Sequence, residues 1–434
     1  MNKLFLFIFL LIINVNSVNS ETMGVKKTVL PNGIVIITKT VNTNRIVSVV
    51  VSAKMGSLYE TDENAGLCNL LQDTILKGTK TRSSEQIALE LESMGTRLSA
   101  SAEREYGTVE MQSTSESLYK SFEILYDILL NATFPDDAIN LQKNLQIQSI
   151  MMRYDQPIYR AMDLMVDAHF GKHPFHKPSL GYPESIKKIT RENLQEIYKK
   201  IYVPGNMIIS VVGNFDEKEL IKNIKENLGS LKGENKLEKV SYDKTSEQSG
   251  SDNAEKIEKR DTAANWFAIG WSAPTMKDKD FYAMEVLNSI TGGSMNSRLF
   301  IAIREKRGLA YQVSSFYNPR VEAGIFVAYI GTKPESYEES KKVLLDEIQK
   351  MGKEKATDEE ITFSKNYLKG MNIMSQESNA GQASLFGHYE LLGLGYDFVD
   401  KYNKSIDKIT SDDVLETGKK YLLKNYALGA VLTK

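Results

Sequence analysis

The apolar residues of this chain follow two spacings, one typical of strands and one typical of helices. Alternation over Val29–Thr38, interrupted by Asn32-Gly33, predicts a β-hairpin. Apolar residues three and four apart predict helices over Asn64–Lys77 and Ser84–Met94. The fold class predicted from this order is α+β, with mixed, mostly antiparallel sheets and helices packed on one side. Comparable patterns occur in the second half, with strands at Trp266–Trp271 and Gln312–Ile330 and a helix at Phe281–Ile290.

The chain repeats its own plan. A helix-then-strand pattern over Ile189–Val212 recurs over Ile409–Leu432, and the spacing from residue 189 to residue 409 is 220. A second pair of similar segments, 137–144 and 359–366, lies 222 residues apart. Solenoid repeats are far shorter than this. The repetition therefore predicts two duplicated domains.

The boundary between these domains is marked by composition. Residues 233–262 are polar and charged and contain few large apolar side chains, which is typical of a linker or a surface loop. We accordingly predict an N-terminal domain over 24–230, a polar linker over 231–260 and a C-terminal domain over 261–434.

The first twenty residues have the pattern of an export signal. A short positive region, Met1–Lys3, precedes an apolar run over Leu4–Ile13 that is too short to span a bilayer as a stable helix. Small residues before Glu21 predict cleavage there, so residues 1–20 are interpreted as a signal peptide; an uncleaved anchor is the alternative. The bacterial periplasm is the favoured compartment, and the sequence predicts no membrane span in the mature chain.

Composition narrows the class of protein. The chain has 434 residues, of which 41% are hydrophobic and 25% are charged, as in globular proteins of two or more domains. Its formal net charge is −2, and no clustered basic face predicts nucleic-acid binding. Cys68 is the only cysteine, so no internal disulfide can form, and its apolar flanks predict a buried small residue.

The most informative segment is the predicted helix that contains Asn69, Gln72 and Asp73. Residues at i, i+3 and i+4 share one face of a helix. Asn69 is a poor zinc ligand, and Gln72 cannot take a proton from water as a general base. Three interpretations stay open: a polar face toward solvent, a metal-free surface lining a cleft, and a rebuilt site for a harder metal.

The frame of this helix, Ala65 to Lys80, closely resembles the zinc helix of the pitrilysin and mitochondrial-processing-peptidase family, which includes the insulinase-type peptidases. That frame carries an inverted His-x-x-Glu-His signature. The resemblance extends along the mature chain, and its further matching segments are Leu30–Gly33, Arg104–Tyr106, His173–Pro178, Val203–Met207 and Arg304–Tyr311.

The resemblance implies that every metal-binding position has changed. Asn69, Gln72 and Asp73 stand where the family has His, Glu and His, and Ser149 stands at or beside the position of its third ligand, a glutamate. We therefore expect no metal in this chain, with Asn69, Gln72, Asp73 and Ser149 as degenerate ligand and base positions.

Other family positions are retained. Arg304 and Tyr311 match the Arg and Tyr that the family's second domain presents to the active site. At the substrate-binding strand the family often has Asn-Ala and this chain has Ser99-Ala100, a milder departure that still allows backbone pairing with an extended peptide. The alternative for the first pair is a surface charge at Arg304 and a tyrosine that packs on the sheet. The family's small members form a clam-like chamber from two chains, of which this chain would be half.

These expectations leave three hypotheses. The favoured one is a non-catalytic subunit of an exported heterodimeric zinc metalloendopeptidase. This subunit would be inactive alone and would bind extended peptides. It would supply Arg304 and Tyr311 to the zinc site of a homologous subunit that has an intact His-x-x-Glu-His motif. The second is a homodimeric pseudopeptidase that binds peptides or acts as a scaffold. The third is an active hydrolase with an unconventional site.

A histidine cluster offers a competing metal site. His169, His173 and His176 have ligand-like spacing, and Asp167 could complete the set. Pro174 would interrupt a helix directly after His173, so we interpret the segment as a loop without metal.

Overall fold

The computed structural model describes residues 24–242 and 253–434. The predicted signal peptide, residues 1–20, lies outside these ranges, as does part of the predicted linker. Of the helices within the described ranges, none combines the length and apolar character that crossing a bilayer requires.

The first half forms a six-stranded sheet with the strand order β1-β2-β6-β3-β5-β4. β2 and β6 are parallel, and the other neighbours are antiparallel. The strands are β1 (Val25–Val29), β2 (Val35–Thr40), β3 (Ile46–Lys54), β4 (Arg97–Ala102), β5 (Tyr106–Thr114) and β6 (Met207–Gly213). The helices are α1 (Leu67–Ile75), α2 (Ser84–Ser93), α3 (Leu118–Asn131), α4 (Asp136–Asp155), α5 (Pro157–Phe170), α6 (Pro183–Lys188), α7 (Arg191–Ile201) and α8 (Glu217–Leu228).

The second half forms a five-stranded sheet with the order β7-β11-β8-β10-β9. Its strands are β7 (Ala254–Arg260), β8 (Asn265–Ala273), β9 (Ala310–Asn318), β10 (Gly324–Thr332) and β11 (Ala427–Thr433). Its helices are α9 (Phe281–Thr291), a π-helical turn at Phe300–Glu305, α10 (Tyr337–Lys350), α11 (Asp358–Met374), α12 (Asn379–Leu391), α13 (Phe398–Lys408) and α14 (Ser411–Tyr421).

The predicted α+β fold with a duplicated plan is confirmed. The order β2-β6-β3-β5-β4 of the first sheet corresponds strand for strand to the order of the second, and β7 pairs in parallel with β11 as β2 does with β6. The bounds of α7 and β6 recur 220 residues later in α14 and β11. Only β1 lacks a counterpart among the described residues.

One segment differs from the sequence prediction. Residues 254–260, which composition assigned to the linker, form the edge strand β7. Its sequence, Ala-Glu-Lys-Ile-Glu-Lys-Arg, is charged because one long side of the strand has no neighbouring strand. Charged residues on an edge discourage pairing with other chains, and they also make such a strand resemble a linker.

One helix of each half packs on the sheet of the other half. Helix α5 of the first half covers one face of the second sheet, where Met165 and Phe170 pack with Ala268, Ile325 and Val327. Reciprocally, α12 of the second half covers the outer face of the first sheet. There Ala383, Phe386 and Leu391 pack against side chains of β2, β3 and β6, namely Ile37, Val50, Ile208 and Val212. The remaining helices cover the opposite face of each sheet and complete the two main cores.

The contact between α5 and β11 is close enough to require glycine. A Cβ at Gly429 would lie 2.2 Å from both the carbonyl oxygen of Ala161 and the amide nitrogen of Met165. Since both atoms belong to the backbone of α5, the helix itself would have to move to admit any side chain.

We expect Gly429→Val to lower the free energy of unfolding by about 2–3 kcal/mol, because the side chain separates α5 from the second sheet. Urea unfolding followed by circular dichroism measures this change. The matched control is Gly370→Ala in α11, where an added Cβ meets nothing within 4 Å and should stabilise the helix slightly. Equal stability of Gly429→Val and the parent chain would refute the close contact.

Candidate functional site

Helix α1 contains Asn69, Gln72 and Asp73 and is capped at its N-terminus by a buried acidic side chain. Gly66 has φ +88°, a conformation that disfavours side chains, and it directly precedes the helix. The carboxylate of Glu60 accepts hydrogen bonds from the amides of Gly66 at 2.9 Å and Cys68 at 2.7 Å. Burial raises the pKa of Glu60, and the two amides oppose that shift. Glu60 thus satisfies N–H groups that the helix cannot satisfy itself.

Gln72, which the resemblance placed at the family's general-base position, is fixed inside the protein. Its side chain is 1% exposed. Its Nε2 donates to the carbonyl oxygens of Ser101 and Thr108, both at 3.0 Å, and its Oε1 accepts from the Tyr202 hydroxyl at 2.7 Å. The idea of a polar face toward solvent is therefore wrong at Gln72, because strands β4 and β5 supply partners that make burial of an amide favourable.

Asn69 and Asp73 interact with each other. The Asn69 Nδ2 donates to the Asp73 Oδ2 at 2.8 Å, one turn away on the same face of α1. Both side chains are half-buried. Burial raises the pKa of Asp73, and the nearby Lys77 and the Asn69 hydrogen bond oppose that shift. The one carboxylate on this face is thus already engaged by an amide.

Ser149 lies on α4, which packs against α1. Its hydroxyl donates to the carbonyl oxygen of Leu145 in its own helix at 2.9 Å. The neighbouring Gln146 is buried and donates to the carbonyl oxygens of Gly66 and Leu180. At this position, therefore, α4 anchors the start of α1 through a hydrogen bond from Gln146, and Ser149 provides no metal ligand.

The residues at these four positions do not fit a zinc ion. Asp73 alone has a side chain that zinc binds well, and tight zinc sites use three or four such ligands. Within residues 24–242 and 253–434, no group of three His, Cys, Asp or Glu side chains is arranged to hold a metal. Cys68 is buried as predicted, and burial and the adjacent Glu60 raise the pKa of its thiol, which disfavours the thiolate.

Ser99 and Ala100 lie on β4, the edge strand of the first sheet. Ser99 pairs with Glu110 of β5, and Ala100 with Val109. Among the described residues β4 has no other neighbouring strand, so one long side of its backbone is open. Ser99 is exposed and Ala100 is half-buried.

Arg304 and Tyr311 lie at the surface of the second half. Arg304 lies in the last turn of the π-helical segment, with its guanidinium 5.2 Å from the centre of the Phe300 ring. Tyr311 is the second residue of the edge strand β9 and is 56% exposed. The tyrosine is therefore not buried against its sheet. The hydrogen bonds of Asn69, Gln72 and Asp73 all stay within the first half.

Comparison with known proteins decides the family. Residues 35–189 match the family model described as Insulinase (Peptidase family M16), and residues 188–368 match the model described as Peptidase M16 inactive domain. The chain belongs to the M16 peptidase family. The match to an inactive domain fits a non-catalytic M16 subunit.

Relatives and solved structures agree with this assignment. An uncharacterized zinc protease of Rickettsia felis is 30% identical over 92% of this M16 chain and 95% of its own length. Another from Bacillus subtilis is 27% identical over 94% and 98%, respectively. The peptidase M16 inactive domain from Pseudomonas fluorescens has the same fold, with a TM-score of 0.86 and 20% identity over 94% of this chain and 98% of that one. Zinc is thus associated with the family.

His169, His173 and His176 each have a different environment in this M16 chain. Burial lowers the pKa of His169 to about 4. The Nδ1 of His173 accepts from the Phe175 amide at 3.0 Å, and the Nε2 of His176 lies 2.9 Å from Asp62. Pro174 starts a single 3₁₀ turn after His173, so the segment does not continue α5.

Two important residues escaped the sequence analysis. Glu60 lies six residues before Gly66, and an acid shortly before a glycine at a predicted helix start was a usable signal. Tyr202 lies 130 positions after Gln72, and no local pattern connects them.

We expect Gln72→Leu to lower the free energy of unfolding by about 2–4 kcal/mol, because it leaves two carbonyls and the Tyr202 hydroxyl buried without partners. Chemical denaturation measures the loss. Asn69→Ala is the matched control, since it removes one half-buried hydrogen bond from the same helix and should cost about 1 kcal/mol or less. Similar losses in both variants would contradict the special role of Gln72.

Acid should destabilise this M16 chain through its buried histidines. Burial lowers the pKa of His169 and His388 from 6.5 to about 4. Between these pH values the unfolded chain binds more protons than the folded chain. The contribution of the two neutral histidines to the free energy of unfolding is therefore fully present above pH 6.5 and is lost as the pH falls toward 4. Urea unfolding at several pH values should show a smaller pH dependence in His388→Gln, by about one proton. An unchanged pH dependence would count against this account.

Proposed function

We propose that this M16 chain is the non-catalytic subunit of an exported heterodimeric zinc metalloendopeptidase. The observation that carries this proposal is the buried amide of Gln72 at the general-base position. All three of its hydrogen bonds serve the fold, and an amide cannot accept the proton of an attacking water. The chain alone is expected to have no peptidase activity.

Binding of extended peptides would occur at β4. A peptide can add to an open sheet edge through main-chain hydrogen bonds, which require little of its sequence. Ser99 and Ala100 have the small side chains that let a second backbone approach. The unpaired side of β4 supports this role.

Arg304 and Tyr311 would act on the partner's zinc site. Within the part of the chain that the structure describes, the Tyr311 hydroxyl makes no hydrogen bond and Arg304 forms no ion pair, so both remain available to a partner. Tyrosine can donate a hydrogen bond to the oxyanion that forms when a zinc-bound water attacks a peptide carbonyl. Arginine can bind a substrate carbonyl or carboxylate.

The partner would be a homologous subunit with an intact His-x-x-Glu-His motif, and it would hold the zinc. The relatives named zinc proteases support a metal-dependent complex. Export to the bacterial periplasm rests on the sequence of residues 1–20 alone.

A homodimeric pseudopeptidase that captures peptides or serves as a scaffold is the second candidate. It is favoured by apolar side chains exposed at matched positions of α4 and α11, each pair 222 residues apart. They are Leu141 and Phe363, Leu145 and Tyr367, Met151 and Ile373, and Met152 and Met374. Such surfaces can hold unfolded segments without any catalytic partner.

The deciding experiment is purification of the chain from its native cell with whatever binds it, followed by metal analysis and a peptidase assay. The subunit proposal expects a homologous partner, zinc in the complex, and activity only when both chains are present. A homodimer without zinc that still binds peptides would favour the pseudopeptidase. Stoichiometric zinc and proteolysis by the pure single chain would refute both.

In the reconstituted complex, we expect Arg304→Ala and Tyr311→Phe each to lower kcat/KM by about 10–1000-fold, because each removes a polar contact made in the transition state. The control is Lys306→Ala, which removes an exposed positive charge from the same segment and should leave turnover unchanged. Parent-like turnover in both test variants would exclude the supporting role.

A further inference from the structure

The tips of two corresponding hairpins meet where the halves adjoin. The turn between β4 and β5 contains Arg104 and Glu105, and the turn between β9 and β10 contains Arg320. The Glu105 carboxylate accepts hydrogen bonds from the backbone amides of Val321 and Glu322, both at 3.1 Å. This contact fixes the two tips and brings an arginine from each half to one place.

Arg104 is held there by carbonyl groups. Its Nη1 donates to the carbonyl oxygens of Phe175 and Lys177, the latter at 2.7 Å. Burial lowers the pKa of the Arg104 guanidinium to about 9, and the nearby positive charge of Arg320 adds to that shift. No carboxylate forms an ion pair with Arg104 within the described residues.

Arg320 has even fewer partners. Its guanidinium lies 5.1 Å from the centre of the Phe175 ring. In residues 24–242 and 253–434 its side chain makes no hydrogen bond and no ion pair, and burial lowers its pKa. A guanidinium has five N–H donors in a planar fork, so the half-buried Arg320 has donors left to bind an acceptor that enters from solvent.

Among the described residues, no acid forms an ion pair with either arginine, although Glu103 stabilises the charge of both at longer range, as Asp163 does for Arg104 and Glu105 for Arg320. Asp163 accepts hydrogen bonds from Arg153 at 2.8 and 3.1 Å and so forms a separate pair. Glu105 is engaged by the two backbone amides of the opposite turn. Two positively charged side chains therefore lie close together, and neither has a carboxylate partner within the described residues.

Both arginines line a cavity of about 420 Å³ between α5 and strands β9 and β10. Arg153 also lines it, but its guanidinium is paired with Asp163, so we call this the two-arginine cavity after Arg104 and Arg320. Its walls include Met162, Met165, Ile325 and Val327. At its rim stand the side chains of Tyr159, which is 43% exposed, and Phe316, which is 37% exposed, so solvent reaches it. The cavity thus combines positive charge with apolar walls.

We propose that the two-arginine cavity binds the C-terminal residue of an extended peptide, with its carboxylate on Arg104 and Arg320 and an apolar side chain against the walls. Planar guanidinium groups match a carboxylate through paired hydrogen bonds. The choice of a peptide as ligand rests on the proposed function, and it is supported by β9, an open sheet edge whose Gln312, Phe316 and Asn318 line the cavity.

The test uses the full mature chain without any partner. Isothermal titration compares a tetrapeptide that ends in leucine as a free acid with the same peptide as a C-terminal amide. The free acid should bind at least about tenfold more tightly, because only it carries the carboxylate. Equal affinities for the two peptides would overturn the proposal.

Arg320→Met tests the residue directly. Since the Arg320 side chain makes no hydrogen bond to any residue in the described ranges, the variant should unfold at the parent's temperature. It should bind the free-acid peptide about tenfold more weakly and the amide unchanged. The matched control is Arg45→Met, which removes an exposed arginine paired with Glu116 and should leave binding unaltered. Parent-like binding of the free acid by Arg320→Met would overturn the assignment.

Two competitors distinguish other sources of the negative charge. Inorganic phosphate and octanoate should each displace the tetrapeptide only at concentrations far above its Kd. Phosphate that binds as tightly as the peptide would make this a general anion site, and octanoate that does so would make it a fatty-acid site; either result would overturn the proposal. Peptide binding by the single chain does not depend on a zinc subunit, so failure of this test and failure of the heterodimer assay can be told apart.

Discussion

The exchange of α5 and α12 is the constraint on which the rest of the molecule depends. Each sheet buries one apolar face against a helix that belongs to the other half, so neither half can cover both faces of its own sheet. Separation of the halves would expose both faces to water at once. The duplicated halves therefore behave as one interlocked body, although each has the strand order of an independent domain.

This interlocking sets the relative positions of the functional elements. The two hairpin tips meet through Glu105, and the edge strands β4 and β9 that lead into these tips are held at fixed places. An extended chain that pairs with either edge would meet a rigid template. The same arrangement concentrates positive charge where Arg104 and Arg320 converge, far from each other in sequence and adjacent in the folded protein.

Local patterns in the sequence predicted the elements but not their long-range partners. The hairpin at Asn32-Gly33 and the duplicated helix-then-strand units have spacings that the backbone imposes directly. The sequence pattern did not predict strand β7, because an edge strand tolerates charged residues and therefore resembles a linker in composition. The burial of Gln72 was not predicted, and its face was left with three open interpretations, because its partners, Ser101, Thr108 and Tyr202, lie far from it in sequence. Convergence of this kind arises only in the tertiary structure.

The buried amide of Gln72 also limits which side chains position 72 can carry. Two backbone carbonyls point at its Nε2, and a glutamate there would bring a third acceptor oxygen, and a negative charge, against them. A glutamate at this position would therefore be costly to stability as long as β4 and β5 keep their present places. The hydrogen bonds that stabilise this part of the fold thus also favour a neutral side chain at residue 72.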